Sequence, residues 1–180
     1  MRRWRRRSRF GLRFAVGAAA AIGLLLGIPV SAAAQPPVPC TATTLSVTVG
    51  LGEPAGDTVQ APLLFLNTGS RPCVTRGFPD VSYRTAPDGG AQVGRTAQRD
   101  GAPDGVVTLA PGEVASAKLT MVRADTVDPA LCRPTPVQGL RVYPPSQRAP
   151  IFVPMSTTVC AGNPPTLQLL IETIKPGPGP

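Results

Sequence analysis

LNTGSRPCVTRGFPD, residues 66–80, sets Cys73 between an Asn-Thr-Gly turn and a Gly-Phe-Pro corner, seven residues past the end of an apolar run. Asn67 and Gly69 accept the positive φ that ends a strand, so the stretch reads as a strand end with a disulfide beside it. Upstream, APLLFLN makes Leu63, Leu64, Phe65 and Leu66 apolar on both faces, as in a central strand covered on both sides. Before it, in TTLSVTVGL, Leu45, Val47, Val49 and Leu51 alternate with Ser46, Thr48 and Gly50, the period of a strand with one buried face. Cys40 lies at the foot of that strand and is the nearest partner in sequence for Cys73. Closing that loop stabilises by roughly 3–4 kcal/mol in chain-entropy terms. Phe78 is expected to plug the end of the core.

Downstream the same grammar repeats. Asp88-Gly89-Gly90 signals a hairpin between VSYRTA and AQVGRT, because this dipeptide chemistry suits tight reversals. Thr96 to Gly105, TAQRDGAPDG, is polar and Gly/Pro-rich and is expected to be a mobile loop. In VVTLAPGEVASAKLTMV, Pro111-Gly112 suits the centre of a type II turn and predicts a second hairpin, with Ala115, Ala117, Leu119 and Met121 alternating against Ser116, Lys118 and Thr120. Asp128 can cap a single helical turn begun by Pro129, leading into Cys132. GLRVYPP, APIFVPMSTTVC and Thr166 to Ile174 supply the remaining strands, with Leu140, Val142, Ile151 and Val153 inward. Short strands roughly ten residues apart, punctuated by Pro and Gly, predict an all-β antiparallel sandwich over residues 40–174. Lys175 to Pro180, KPGPGP, reads as a disordered tail.

The N-terminus carries a different signal. Seven Arg precede an apolar run from Phe14 to Val30, and Ala32-Ala33-Ala34 follows before Gln35. This is the pattern of a signal peptide over residues 1–34, cleaved between Ala34 and Gln35. The run is broken by Gly17, Gly23, Gly27 and Pro29, and is shorter than a membrane span requires, so the membrane is expected to be met only transiently. Residues 35–39 form a proline-rich lead-in without evident structure. Of 18 Lys and Arg, seven leave with the leader, so 11 basic residues face 10 acidic ones and the formal charge falls from +8 to +1. Nucleic-acid binding thereby loses its support, since neither a basic stripe nor stacking aromatics remain; the single Trp, Trp4, leaves too.

Four cysteines in an exported chain, Cys40, Cys73, Cys132 and Cys160, imply two disulfides with three possible connectivities. Pairing of sequence neighbours, Cys40 with Cys73 and Cys132 with Cys160, is expected. A zinc site is disfavoured by the absence of a close Cys pair and of any His, and no metal or other cofactor is expected. Without His, Ser–His and Cys–His nucleophilic arrangements are excluded. Ser116 and Lys118 share a strand face, but Lys118 reads as a solvent-facing residue. Asp80, Asp88, Asp100 and Asp104 sit in turn contexts where Asp bonds the backbone, which leaves paired-carboxylate hydrolysis of carbohydrate and calcium binding at Asp100 and Asp104 as weak readings. Met121 and Met155 are expected in the core rather than on copper.

LLFLNTGSRPCVTRGFPDV, VTLAPGEVASAKL, GLRVYPPS and a late TTVC resemble the actinobacterial exported domain of unknown function 4232 (DUF4232) from about Cys40 to Ile171. The resemblance implies an immunoglobulin-like β-sandwich on the outer side of the membrane, often lipid-tethered in relatives. Here Pro37-Val38-Pro39 before Cys40 provides no lipobox. The family has no established activity to carry over. The expectation is therefore a secreted or cell-envelope module, not an enzyme, that binds an unknown protein or envelope component through loops such as Thr96 to Gly105 and Asp125 to Leu131. The alternative is a protease inhibitor presenting Arg71 in the disulfide-braced Ser70-Arg71-Pro72-Cys73 segment.

Overall fold

The computed structural model describes residues 38–162 and 168–179. The leader, its Ala34–Gln35 cleavage site, and Thr166 and Leu167 of the last expected strand lie outside the described residues. In chain order the strands are β1 (Val38–Pro39), β2 (Leu45–Val49), β3 (Glu53–Ala55), β4 (Thr58–Asn67), β5 (Cys73–Thr75), β6 (Asp80–Arg84), β7 (Gln92–Val93), β8 (Gln98–Arg99), β9 (Val107–Leu109), β10 (Val114–Val122), β11 (Pro134–Tyr143), β12 (Ile151–Cys160), β13 (Leu169–Ile171) and β14 (Lys175–Pro176). Between β10 and β11 lie a 3-10 turn, Ala124–Thr126, and a single helical turn, α1 (Pro129–Cys132).

Two large sheets face each other. One runs β2-β4-β10-β13-β8, with β3 added to β4 and β14 to β10; the other runs β12-β11-β6-β7. A small third sheet, β1-β5-β9, lies beside them. The core fills the space between with Leu63, Phe65, Leu119 and Ile171 from the first sheet and Val81, Tyr83, Leu140 and Val153 from the second, all 2 % exposed or less. Each such Leu, Ile or Phe contributes about 1.5–3 kcal/mol by leaving water, so period-2 alternation in sequence becomes the adhesive between layers. The architecture is all-β with antiparallel sheets and two disulfides, Cys40–Cys73 and Cys132–Cys160.

Several expectations are corrected by pairing that no local pattern encodes. β4 is central, as expected, but only Ala61, Leu63, Phe65 and Asn67 are buried, and Leu64 and Leu66 on the other face stay half-exposed, where the tail at Gly179 reaches only as far as Pro62 and Ser116. Leu51 is 93 % exposed, since β2 ends at Val49 and the chain bends through Gly50. Pro111-Gly112 does make its turn, with Gly112 at φ +82° and Glu113 N–H donating to the Ala110 carbonyl at 3.0 Å. It is not a hairpin, however: β9 pairs with β5, and β10 with β4. The turn passes the chain from one sheet to another.

Val38–Pro39 and Lys175–Pro176 are strands where composition implies none. Val38 and Pro39, the described part of the lead-in, pair in parallel with Cys73 and Val74 of β5, where the Cys40 disulfide holds them. The KPGPGP tail is not disordered through Pro176: β13 covers only Leu119–Met121 of β10, and β14 takes the vacant edge beside Ala115 and Ser116. Gly177 N–H then donates to the Val114 carbonyl at 3.0 Å. The expected mobile loop is likewise pinned, as β8 pairs with β13 and Asp100 N–H bonds the Ile171 carbonyl at 2.9 Å. Phe78 does not plug the core; it is half-exposed with the Arg99 guanidinium 5.7 Å above its ring, and the neighbouring Pro79 is the buried residue.

Thr75 on β5 is buried with its hydroxyl lacking any hydrogen-bond partner among the described residues. An unpaired buried hydroxyl costs about 1–3 kcal/mol. Thr75→Val, which keeps the shape and removes the orphan, is expected to raise the unfolding midpoint in a thermal melt; a midpoint below wild type would show that the hydroxyl is satisfied in solution.

Candidate functional site

The sandwich is open along one side. There, a cleft of about 810 Å³ runs between the two large sheets. Val49 at the end of β2, Val59 and Ala61 of β4, and Met121 of β10 form one wall; Met155 to Val159 of β12 form the other, with Tyr83 of β6 at the floor; Arg123, Ala124, Asp125, Val127 and Pro129 close an end. Three local features shape it. Gly52 lets β3 approach β4, since a Cβ there would meet Val59 Cγ1 at 2.7 Å. On β12, Met155 and Ser156 oppose the single residue Gln138, a bulge that turns the strand next to Pro154. The end wall is set by Asp128, whose carboxylate accepts from Ala130 N–H at 2.8 Å and caps α1, by Arg123 N–H bonding the Asp57 carbonyl at 2.8 Å, and by Cys132–Cys160, which ties α1 to β12.

Charge is confined to the rim. Arg123 grips Asp125 through two bonds of 3.1 and 2.6 Å; the hydrogen bond from Arg123 holds the Asp125 carboxyl below the usual carboxylate range. At the cleft floor, burial pushes the Tyr83 hydroxyl above the ordinary phenol range, so it stays neutral. Leu51, between the lining residues Gly50 and Gly52, and Leu131, 55 % exposed beside the Pro129 wall, add apolar surface next to the cleft. Apolar walls, a neutral floor and a charged rim can exclude water from an apolar group and orient a polar one.

The structure sorts the sequence-derived candidates unevenly. Asp125 to Leu131 contributes to the cleft, whereas Thr96 to Gly105 does not: its Asp100 to Asp104 segment borders a separate hollow of about 440 Å³ with Glu172, Thr173 and Lys175. The two loops expected to recognise a partner thus serve different places. Asp80 bonds Arg99 at 3.3 Å and Asp88 is exposed in its hairpin, so neither joins Asp100 and Asp104. Among the described residues no group of three or more His, Cys, Asp or Glu could hold a metal ion.

Lys118 forms an ion pair with Glu172, which also takes Lys175 at 2.9 Å. The bond from Lys118 holds the Glu172 carboxyl below its usual range. Ser116 is 5 % exposed, and its ladder neighbours are Leu64 and Lys175. Arg71 is exposed, but its carbonyl is held by the Asn67 side-chain amide at 2.9 Å. Met121 and Met155, expected as core, are half-buried on opposite cleft walls. The cleft was not legible in the sequence, because its lining spans Val49 to Val159 and only sheet packing brings those positions together.

Among the described residues no helix is long and apolar enough to cross a membrane. No curated protein matches this chain, and no solved structure does. The profile of one family, the domain of unknown function DUF4232, matches residues 40–170, spanning both disulfides, the whole four-stranded sheet and the larger sheet as far as Leu170 of β13. The chain belongs to the DUF4232 family.

Proposed function

We propose that this protein is a non-catalytic, exported β-sandwich module that binds a protein or cell-envelope component by taking one of its apolar groups into the inter-sheet cleft. The cleft carries the reading: its volume of about 810 Å³ falls within the roughly 300–1,000 Å³ of small-ligand sites, and its mainly apolar walls with few polar groups match their chemistry. Two disulfides support an oxidising compartment. Lack of any His and the engagement of Lys118 with Glu172 support a binding rather than a catalytic role. The immunoglobulin-like arrangement expected of the family is part of the same proposal, supported by the two facing antiparallel sheets.

The test is titration with an uncharged naphthylamine fluorophore, whose emission rises on entering an apolar site. Binding to the protein is expected, with affinity falling at least about tenfold in Met155→Lys and in Val127→Lys, because each puts an ammonium into an apolar wall. Unchanged affinity in both variants, with far-UV circular dichroism intact, would place the ligand elsewhere.

A further inference from the structure

The outer face of the four-stranded sheet, away from the cleft, carries two guanidiniums that form no ion pair among the described residues. On β11, Gly139 and Arg141 face outward while Leu140 and Val142 face the core; on β6, Ser82 and Arg84 do the same between the inward Val81 and Tyr83. Arg141 pairs with Ser82 and Gly139 with Arg84, so the two Arg are diagonal neighbours. Such positions lie about 7–8 Å apart at the backbone, within mutual reach of long side chains.

Neither forms an ion pair among the described residues, and Asp80, the other diagonal neighbour of Arg141 on β6, is engaged by Arg99 at 3.3 Å. The ion pairs among the described residues are Arg99–Asp80, Lys118–Glu172, Arg123–Asp125 and Lys175–Glu172. Arg84 donates only to the Gly90 carbonyl at 3.0 Å. Arg141 reaches the Gln92 side-chain carbonyl at 3.3 Å and stacks 5.4 Å from the Tyr143 ring centroid, while its Nε is buried without a partner. A half-buried guanidinium held by one long bond and a ring is positioned but underused as a donor, since its planar fork suits two bonds to a carboxylate.

Beside it, Phe152 of β12 lies directly opposite Arg141, and its ring covers Gly139, where a Cβ would meet Phe152 Cζ at 2.6 Å. Glycine at that position lets the ring lie down on the sheet as a half-exposed apolar platform. The resulting surface has a flat ring, two guanidiniums outside any ion pair among the described residues, and the Gln92 amide. A pyranose ring bearing a carboxylate matches all three, with its C–H face on the phenyl ring, its carboxylate on the Arg pair and its hydroxyls on the amide.

We propose that this face binds acidic saccharides through uronate carboxylates, with Arg84 and Arg141 as the anion site and Phe152 as the ring platform. The test is calorimetric titration of the full chain with trigalacturonate at low salt, with maltotriose and inorganic phosphate as comparisons. Trigalacturonate is expected to bind and to weaken with added salt; maltotriose is expected to bind at least about tenfold more weakly. Arg84→Gln and Arg141→Gln should each reduce trigalacturonate affinity about tenfold, and Phe152→Ala should reduce it without changing the response to phosphate. Failure of trigalacturonate to bind at millimolar concentration, equal binding by a folded double Arg variant, or phosphate matching trigalacturonate with no effect of Phe152→Ala would overturn the proposal. Binding of the naphthylamine fluorophore in the cleft should persist in all these variants, which separates this face from the inter-sheet site.

Discussion

Asn67→Ala is expected to cost about 2–4 kcal/mol of unfolding free energy and to lower the thermal midpoint by roughly 10 °C. Asn67 is 1 % exposed and satisfies three backbone groups at once. Its amide donates to the carbonyls of Arg71 and Leu109, each at 2.9 Å, and its Oδ1 accepts from Gly69 N–H at 2.9 Å. The bond to Leu109 joins the end of β4 to β9 across 42 residues of chain. Truncation leaves these groups without partners, the Leu109 carbonyl among them in a buried bond, and an orphaned buried polar group costs more than an average hydrogen bond contributes. The Asn67 backbone keeps its own bonds, N–H to Glu113 at 3.0 Å and carbonyl from Gly112 at 2.8 Å, so the substitution isolates the side chain. Asn67→Asp should be at least as damaging, because a carboxylate cannot donate to either carbonyl. Chemical denaturation followed by far-UV circular dichroism decides it; a variant within half a kcal/mol of wild type would mean that water replaces the amide.

Removing the disulfides is expected to have the other large effect, and to separate stability from binding. Cys40–Cys73 spans 33 residues and Cys132–Cys160 spans 28, so each restricts the unfolded chain by about 3.5 kcal/mol in the entropic treatment. Loss of both, about 7 kcal/mol, is comparable with the whole stability of a domain of this size, roughly 5–15 kcal/mol. The fully reduced protein should therefore unfold under conditions in which either single-bridge variant stays folded. The bridges differ in place. Cys40–Cys73 holds the short third sheet, whereas Cys132–Cys160 fixes α1 and the cleft wall to β12. Cys132→Ser with Cys160→Ser is accordingly expected to weaken naphthylamine binding, while Cys40→Ser with Cys73→Ser leaves it near wild type at a temperature where both are folded. Equal binding by the two variants would detach the end wall from the cleft's function.

Asn67 also shows how a sequence can point to the right residue for the wrong reason. Read locally, Asn-Thr-Gly is a turn that wants positive φ. Among the described non-glycine residues only Arg133 and Ser146 have positive φ, and Gly69 does not have it either. The amide is instead a strut between strands, a role that depends on where Leu109 arrives. Phe78 errs in the same way: an aromatic at a corner resembles a plug, but the chain turns at Gly77, φ +94°, and leaves the ring under Arg99.

The sequence by itself determined the existence of the long strands β2, β4, β10, β11 and β12, the α1 cap at Asp128, the Pro111-Gly112 turn and the identity of most inward residues, because period-2 burial and φ preferences act over two to four neighbours. Tertiary structure alone decided which strands pair. It sent β9 to β5 instead of β10, set β14 on the edge that β13 leaves free, bared Leu51, brought Met121 and Met155 to facing walls, and left Arg84 and Arg141 side by side outside any ion pair among the described residues. Those outcomes depend on sheet register and layer packing between residues far apart in the chain, where the free energy of one pairing over another is shared among many side chains and written in no single stretch.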